Sequence, residues 1–154
     1  MPPSDHPAFE FREELLPLSL LITRRTLTVA DTEPLFDYYR GLCQRRIRFV
    51  AISDVRASTN APDAKTRKCI ADHSNAFAEL AKEWSVGSVI VVQSELIRGA
   101  LTAIEWLTRP ASPRYYCCDM SSAVDRATAL LEQAGIPVTP AIRDFQARLT
   151  SAVR

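Results

Sequence analysis

Ser88-Val-Ile-Val-Val-Gln-Ser-Glu-Leu-Ile-Arg-Gly-Ala-Leu-Thr-Ala-Ile-Glu-Trp106 is the stretch on which the fold reading turns. It opens on a β-branched run, stops at a serine able to cap a helix, and continues with apolar residues around most of a helical circumference. A strand feeding directly into a helix is half of a βαβ unit. The strand, Val86 to Gln93, is short and almost wholly apolar, as expected of one buried on both faces in a parallel sheet. The helix, capped by Ser94 and reaching Leu107, has a narrow polar stripe of Glu95, Arg98, Thr102, Glu105 and Arg109.

Outward from this unit the same grammar repeats. Upstream, Ala8 to Glu13 alternates with Phe9 and Phe11 on one face, and Leu18 to Arg25 reads as a second strand pairing antiparallel with it. Asp31 or Thr32 is expected to cap a helix with Pro34 in its first turn and Leu35, Tyr38, Tyr39 and Leu42 on its apolar face, ending near Arg45 and Arg46. Phe49 to Val55 is a strand, followed by a polar loop at 57–60. Asn60 is the expected cap of a helix with Asp63 at its third position, running to about Trp84 with Cys69, Ile70, His73, Phe77, Leu80 and Trp84 toward the sheet.

Downstream, Arg114 to Cys118 is the last strand. Ser122 with Asp125 should open a helix over 123–134, which Gly135 and Pro137 stop. Thr139-Pro140 restarts an amphipathic helix with Ile142, Phe145, Leu149 and Val153 on one side, too short to stand alone in water and so expected to dock. The alternation predicts an α/β layer: a single domain with a mixed, mostly parallel sheet of about five strands, helices packed on it, and a C-terminal extra helix. The expected divisions are a flexible arm at 1–7, the domain at 8–135 and the tail helix at 136–154.

Composition narrows the classes. The 154 residues are 47% hydrophobic and 24% charged with a net charge of +1, ordinary for a globule and without a field that recruits nucleic acid or membrane. No apolar run approaches the roughly 20 residues of a membrane span, and the N-terminus lacks the pattern of a signal peptide, so a cytoplasmic location is expected. The cysteines Cys43, Cys69, Cys117 and Cys118 match no zinc spacing and read first as reduced thiols. An exposed one of the adjacent Cys117 and Cys118 is the alternative, as a redox group. His73 sits among Ile70 and Phe77 and reads as a core or core-edge histidine, and His6 lies in the arm, so no metal site is expected. Arg45, Arg46, Arg48, Arg109 and Arg114 fall near helix C-termini, where the dipole favours cations, rather than in a nucleic-acid patch. No nucleophile–base pair or phosphate loop appears, and no enzyme activity or cofactor is expected.

The element order, together with Leu20 to Val29, Val89 to Leu107 (above all Leu96-Ile-Arg-Gly-Ala-Leu-Thr-Ala103 and Trp106-Leu107) and Tyr115 to Leu131, resembles the STAS superfamily. More closely it resembles the bacterial STAS/SEC14-like, or SpoIIAA-like, proteins, over about residues 8–135. The resemblance implies a regulatory or scaffold domain in bacterial signalling that acts by protein–protein contact. The SEC14-like label implies an alternative, a small hydrophobic-ligand or lipid-binding module, which an apolar pocket under the third helix would favour. Anti-sigma-factor antagonists carry a phosphorylated Ser in an Asp-Ser-Ser-Gly-like sequence after the middle strand. This chain has Asp54-Val-Arg-Ala-Ser-Thr-Asn60 there, which leaves Ser58 and Thr59 as candidate phosphoacceptors without the Ser-Gly pair.

The candidate interaction surface is therefore Arg56, Ser58, Thr59, Ser94, Arg98, Gly99, Thr102 and Trp106, with Asp54, Gln93, Asp119 and Ser121 at the same carboxyl edge of the sheet. For the edge residues, capping alone is the competing reading. For Gly99, Ala103 and Trp106 it is ordinary helix-on-sheet packing. A protein partner, including a second copy, is the expected occupant.

Overall fold

A computed structural model describes residues 6–109 and 111–152. Five strands, β1 (Phe9–Phe11), β2 (Leu18–Thr23), β3 (Phe49–Asp54), β4 (Ser85–Val91) and β5 (Arg114–Cys117), lie side by side in chain order. β1 runs antiparallel to β2 and the rest are parallel. The helices are α1 (Val29–Gln44), α2 (Ala64–Trp84), α3 (Glu95–Trp106), α4 (Met120–Gln133) and α5 (Pro140–Ala152), with a 3-10 turn at Glu13–Leu15. The chain is thus α/β with a mixed, mostly parallel sheet and an added C-terminal helix.

Crossovers between parallel strands favour one hand. Because β2 to β5 step always in the same direction, the three crossover helices share one face. The core divides accordingly. On one face Leu18, Leu20, Val50, Ile52, Val89 and Val91 pack against α4, and Ile142 of α5 joins the same cluster at 0% exposure. On the other, Leu21, Phe49 and Ala51 pack with α1 and α2, and Ile90 and Val92 with Ile97 of α3. The tail helix docks on its own domain. Val153 of its expected stripe lies outside the described residues, as do residues 1–5 of the arm. His6 is held in place: its ring stacks on Phe9 at 4.3 Å, and Nδ1 accepts the Ala8 N–H at 3.1 Å.

Several helix starts differ from the expected ones, each for a local reason. α1 begins a turn early because Asp31 serves as the acceptor, taking the Thr28 N–H at 2.8 Å, and so Pro34 sits inside the helix. Asp63, not Asn60, caps α2 by accepting the Thr66 N–H at 2.8 Å; Asn60 instead pairs with Thr26. Asp119, not Ser122, caps α4, accepting the Ser122 N–H at 2.7 Å. α2 keeps part of its expected inner face, with Ile70, Phe77 and Trp84 in or against the core cluster, and departs from it elsewhere. Phe77, Ala78 and Ala81 are buried, whereas Leu80 is 41% exposed and His73 faces Phe36 and Glu33 of α1. A helix flanked by two neighbours buries side chains sideways as well as downward.

Two helix ends adopt left-handed backbone. Gly135 after α4 has φ +72°, which costs glycine nothing. Arg46 after α1 has φ +59° and carries a Cβ there. Arg46→Gly is expected to raise stability by about 0.5–1 kcal/mol, the left-handed penalty less glycine's larger unfolded-state entropy. A chemical-denaturation midpoint at or below that of the wild type would contradict this.

Candidate functional site

Two features mark α3. Its inner side buries only Ile97, Ala100 and Ile104. Its outer side leaves Leu96 66%, Trp106 83% and Leu107 56% exposed, three of the five large apolar side chains exposed among the described residues. A Cβ built at Gly99 meets nothing within 4 Å. Gly99 therefore does not serve close packing on the sheet; it opens a shallow step on an outward face between Leu96 and Trp106.

The flank of α3 toward β5 is charged and ordered. Glu105 accepts a hydrogen bond from the Tyr116 hydroxyl and another from Arg114 Nη1 at 3.2 Å. The Arg98 guanidinium lies 5.0 Å from the centre of the Tyr116 ring, within cation–π reach. Burial, and then the hydrogen bond to Glu105, push the Tyr116 hydroxyl up to about 12, so it stays a neutral donor. Ser94 accepts the Ile97 N–H at 3.3 Å as the expected cap, and Thr102 turns its hydroxyl back to the Arg98 carbonyl.

The loop after β3 is built differently from a recognition loop. Arg56 folds back on Asp54, with its Nε 2.9 Å from Oδ1 and its Nη2 2.8 Å from Oδ2, while its own N–H also bonds Oδ1. Asp54 is 7% exposed, so this pair holds the loop end closed and occupies the guanidinium. Ser58 is half-buried, and Thr59 is the exposed hydroxyl. At the same edge, Gln93 donates to the Cys118 carbonyl, and Asp119 is occupied as the α4 cap. The sheet's chain-order topology has no point at which strand order reverses, so it lacks the switch-point crevice at which doubly wound sheets bind ligands.

The space lies elsewhere, between the sheet and α1 to α3. A cavity of about 450 Å³ has Ser53, Ser88 and Ile90 in its floor, Tyr39 and Phe77 in its wall and Arg114 at its mouth. A second of about 170 Å³ shares Ser53, Ile90 and Arg114 with it and runs under Ile97 and Ile104 of α3 to Ser58. Tyr39 is ringed by protein yet keeps accessible surface, because it faces this space. Burial drives its hydroxyl up to about 12. Sequence reading missed Ser53, Ser88 and Tyr39. The available signal was a small polar residue inside each of two otherwise apolar strand runs, Phe49–Val55 and Val86–Val92.

No family model and no curated protein matches the chain. The site therefore stands on its geometry. Among the described residues no group of three or more His, Cys, Asp or Glu could hold a metal ion, and no helix is long and apolar enough to cross a membrane. All four cysteines are free, Cys43 buried and Cys118 exposed. The arginines at strand and helix ends are largely engaged: Arg45 with Glu13, Arg24 with Glu10, Arg25 with Asp31 and Arg114 with Glu105.

Proposed function

We propose that this chain is a non-enzymatic, STAS-like regulatory or scaffold domain that works by protein–protein contact through the outer face of α3. One observation carries the reading: Trp106, Leu96 and Leu107 are exposed together on one helix. Scattered exposed apolar residues need no explanation, but three along one helix, one of them a Trp left 83% exposed, make the kind of surface that association uses. Gly99 and Ala103 keep the centre of the stripe low, so that a partner's side chain can seat between Leu96 and Trp106. Arg98, held by the Tyr116 ring, and Glu95 supply orientation at the margin. Arg56, occupied by Asp54, contributes the loop's shape rather than a free charge. Of the two candidate phosphoacceptors, Thr59 is the accessible one. Free thiols support a reducing, cytoplasmic setting.

Because Trp106 is mostly exposed, its removal tests contact rather than folding. Trp106→Ala is expected to weaken self-association or partner capture by about 2 kcal/mol or more, roughly thirtyfold. Its melting temperature should stay within a degree or two of the wild type. Arg98→Glu should weaken the same association by less. Sedimentation velocity across a concentration series, and pull-down with tagged wild-type and variant chains, read both. Association that is unchanged in both variants overturns the α3 surface.

A further inference from the structure

We infer that the cavity between the sheet and α1 to α3 is a binding site for a small aromatic carboxylate, independent of the contact surface on the outside of α3. At about 450 Å³ it has the size of small-molecule sites, roughly 300–1,000 Å³. It exists because the sheet is lined unequally. The α4 face of the central strands carries Leu20, Val50, Ile52, Val89 and Val91, while the opposite face carries Ala51, Ser53 and Ser88 at its centre. Ser53 and Ser88 lie in the middle strands of a covered sheet and are nonetheless half-accessible, as side chains facing an open space are.

The walls specify the body of the ligand. Phe36, Tyr39, Phe49 and Phe77 all line the space. They already contact one another as aromatic pairs, Tyr39 with Phe49 at 5.7 Å and Phe36 with Phe77 edge-on at 6.3 Å. A flat ring joins such a set through the same stacked and edge-to-face contacts. The serine hydroxyls and the neutral Tyr39 hydroxyl meet polar substituents on its rim.

The mouth specifies the head. Arg109 and Arg114 line it with Glu105 as the acid, two cations against one anion. Glu105 takes a single hydrogen bond from Arg114, which leaves the other guanidinium donors of Arg114 available. Arg109 makes no ion pair with an acid among the described residues. Two guanidinium groups with free donors suit a carboxylate, which they bind through parallel N–H···O bonds.

The test titrates purified full-length protein with 2-naphthoate by calorimetry. Neutral 2-naphthalenemethanol serves as the uncharged body and decanoate as the chain-bodied acid. The expected result is 1:1 binding of 2-naphthoate, at least tenfold tighter than the alcohol and tighter than decanoate. Arg109→Glu, at an exposed position, should weaken 2-naphthoate at least tenfold and leave the alcohol unchanged. Ser88→Leu, which fills the floor, should abolish binding of both while the protein stays folded. If Ser88→Leu does not fold, Ser74→Leu on the α2 wall serves the same purpose. Absence of 2-naphthoate binding at millimolar concentration overturns the inference. Equal affinity for the alcohol overturns the anionic head, and tighter binding of decanoate overturns the ring. Unchanged binding in the filled variant places the ligand outside the cavity and overturns the site.

Discussion

Ile142→Ala is expected to destabilise the protein by about 3 kcal/mol, the usual range for a fully buried branched side chain cut back to Ala. For a chain of this size that lowers the melting temperature by about 6–12 °C. Ile142 is 0% exposed and sits in one cluster with Leu131, Ala127 and Val124 of α4. The cost is large because Ile142 reaches the cluster that α4 shares with Leu15 and Leu18. The helix α5 lies along α4 and against the 3-10 turn, with Phe145 and Leu149 partly buried beside Ile142. Arg143 pairs with Glu132 at 2.7 Å, and Gln146 donates to Asp125 at 2.7 Å, so polar contacts fix the register. Asp144→Ala, on the exposed side of the same helix, should change stability by less than about 0.5 kcal/mol. Differential scanning calorimetry of the two variants decides the matter. An Ile142→Ala chain melting with the wild type would mean that α5 contributes nothing to the core.

The second large effect is expected at Asp31, which is 3% exposed yet charged. Burial raises its pKa. The hydrogen bonds from Arg25 and from the Thr28 N–H and hydroxyl outweigh that and hold the carboxyl below its ordinary value. A carboxyl with a depressed folded-state pKa contributes stability that is fully present above its unfolded pKa, about 4, and is lost as pH falls through the lower folded value. Asp31→Asn should therefore cost about 2 kcal/mol at pH 7, in the range of a lost helix cap with its charged partner. The gap to the wild type should narrow progressively between about pH 5 and pH 2. Denaturant midpoints for both proteins across that window provide the measurement. A gap that stays constant with pH would show that the ionised carboxylate is not what holds the start of α1.

Much of the fold was legible in the chain because its signals are local. The period-2 alternation at Phe9 and Phe11, the β-branched run at 89–92 and the stop at Gly135 each depend on neighbouring residues alone, and each stands where it was read. Cap residues were harder to read. Several Ser, Thr, Asn and Asp side chains near each helix start could accept the free N–H groups, and the choice depends on contacts from elsewhere. Arg25 steadies Asp31 in the cap of α1, and Thr26 draws Asn60 away from the start of α2. For the candidate site, Arg98, Gly99 and Trp106 lie on the solvent side of α3, and Ser94 caps its start. Arg56, placed on the same surface from the sequence, is closed onto Asp54, a pairing across two residues that the sequence permits without requiring.

The element order, the doubly buried character of β4 and the excess of apolar surface on α3 all follow from residue type and spacing along the chain. The sequence could not say which side of α3 goes uncovered, because that depends on where α2 and β5 come to lie. Nor could it reveal the cavity. Strand register sets Ala51 beside Ser88, and Ser53 lies two residues on from Ala51, a row of small side chains across two strands that are far apart in the chain. Only the assembled sheet brings that row together, and only helices held off by the larger residues around it leave the space above it open.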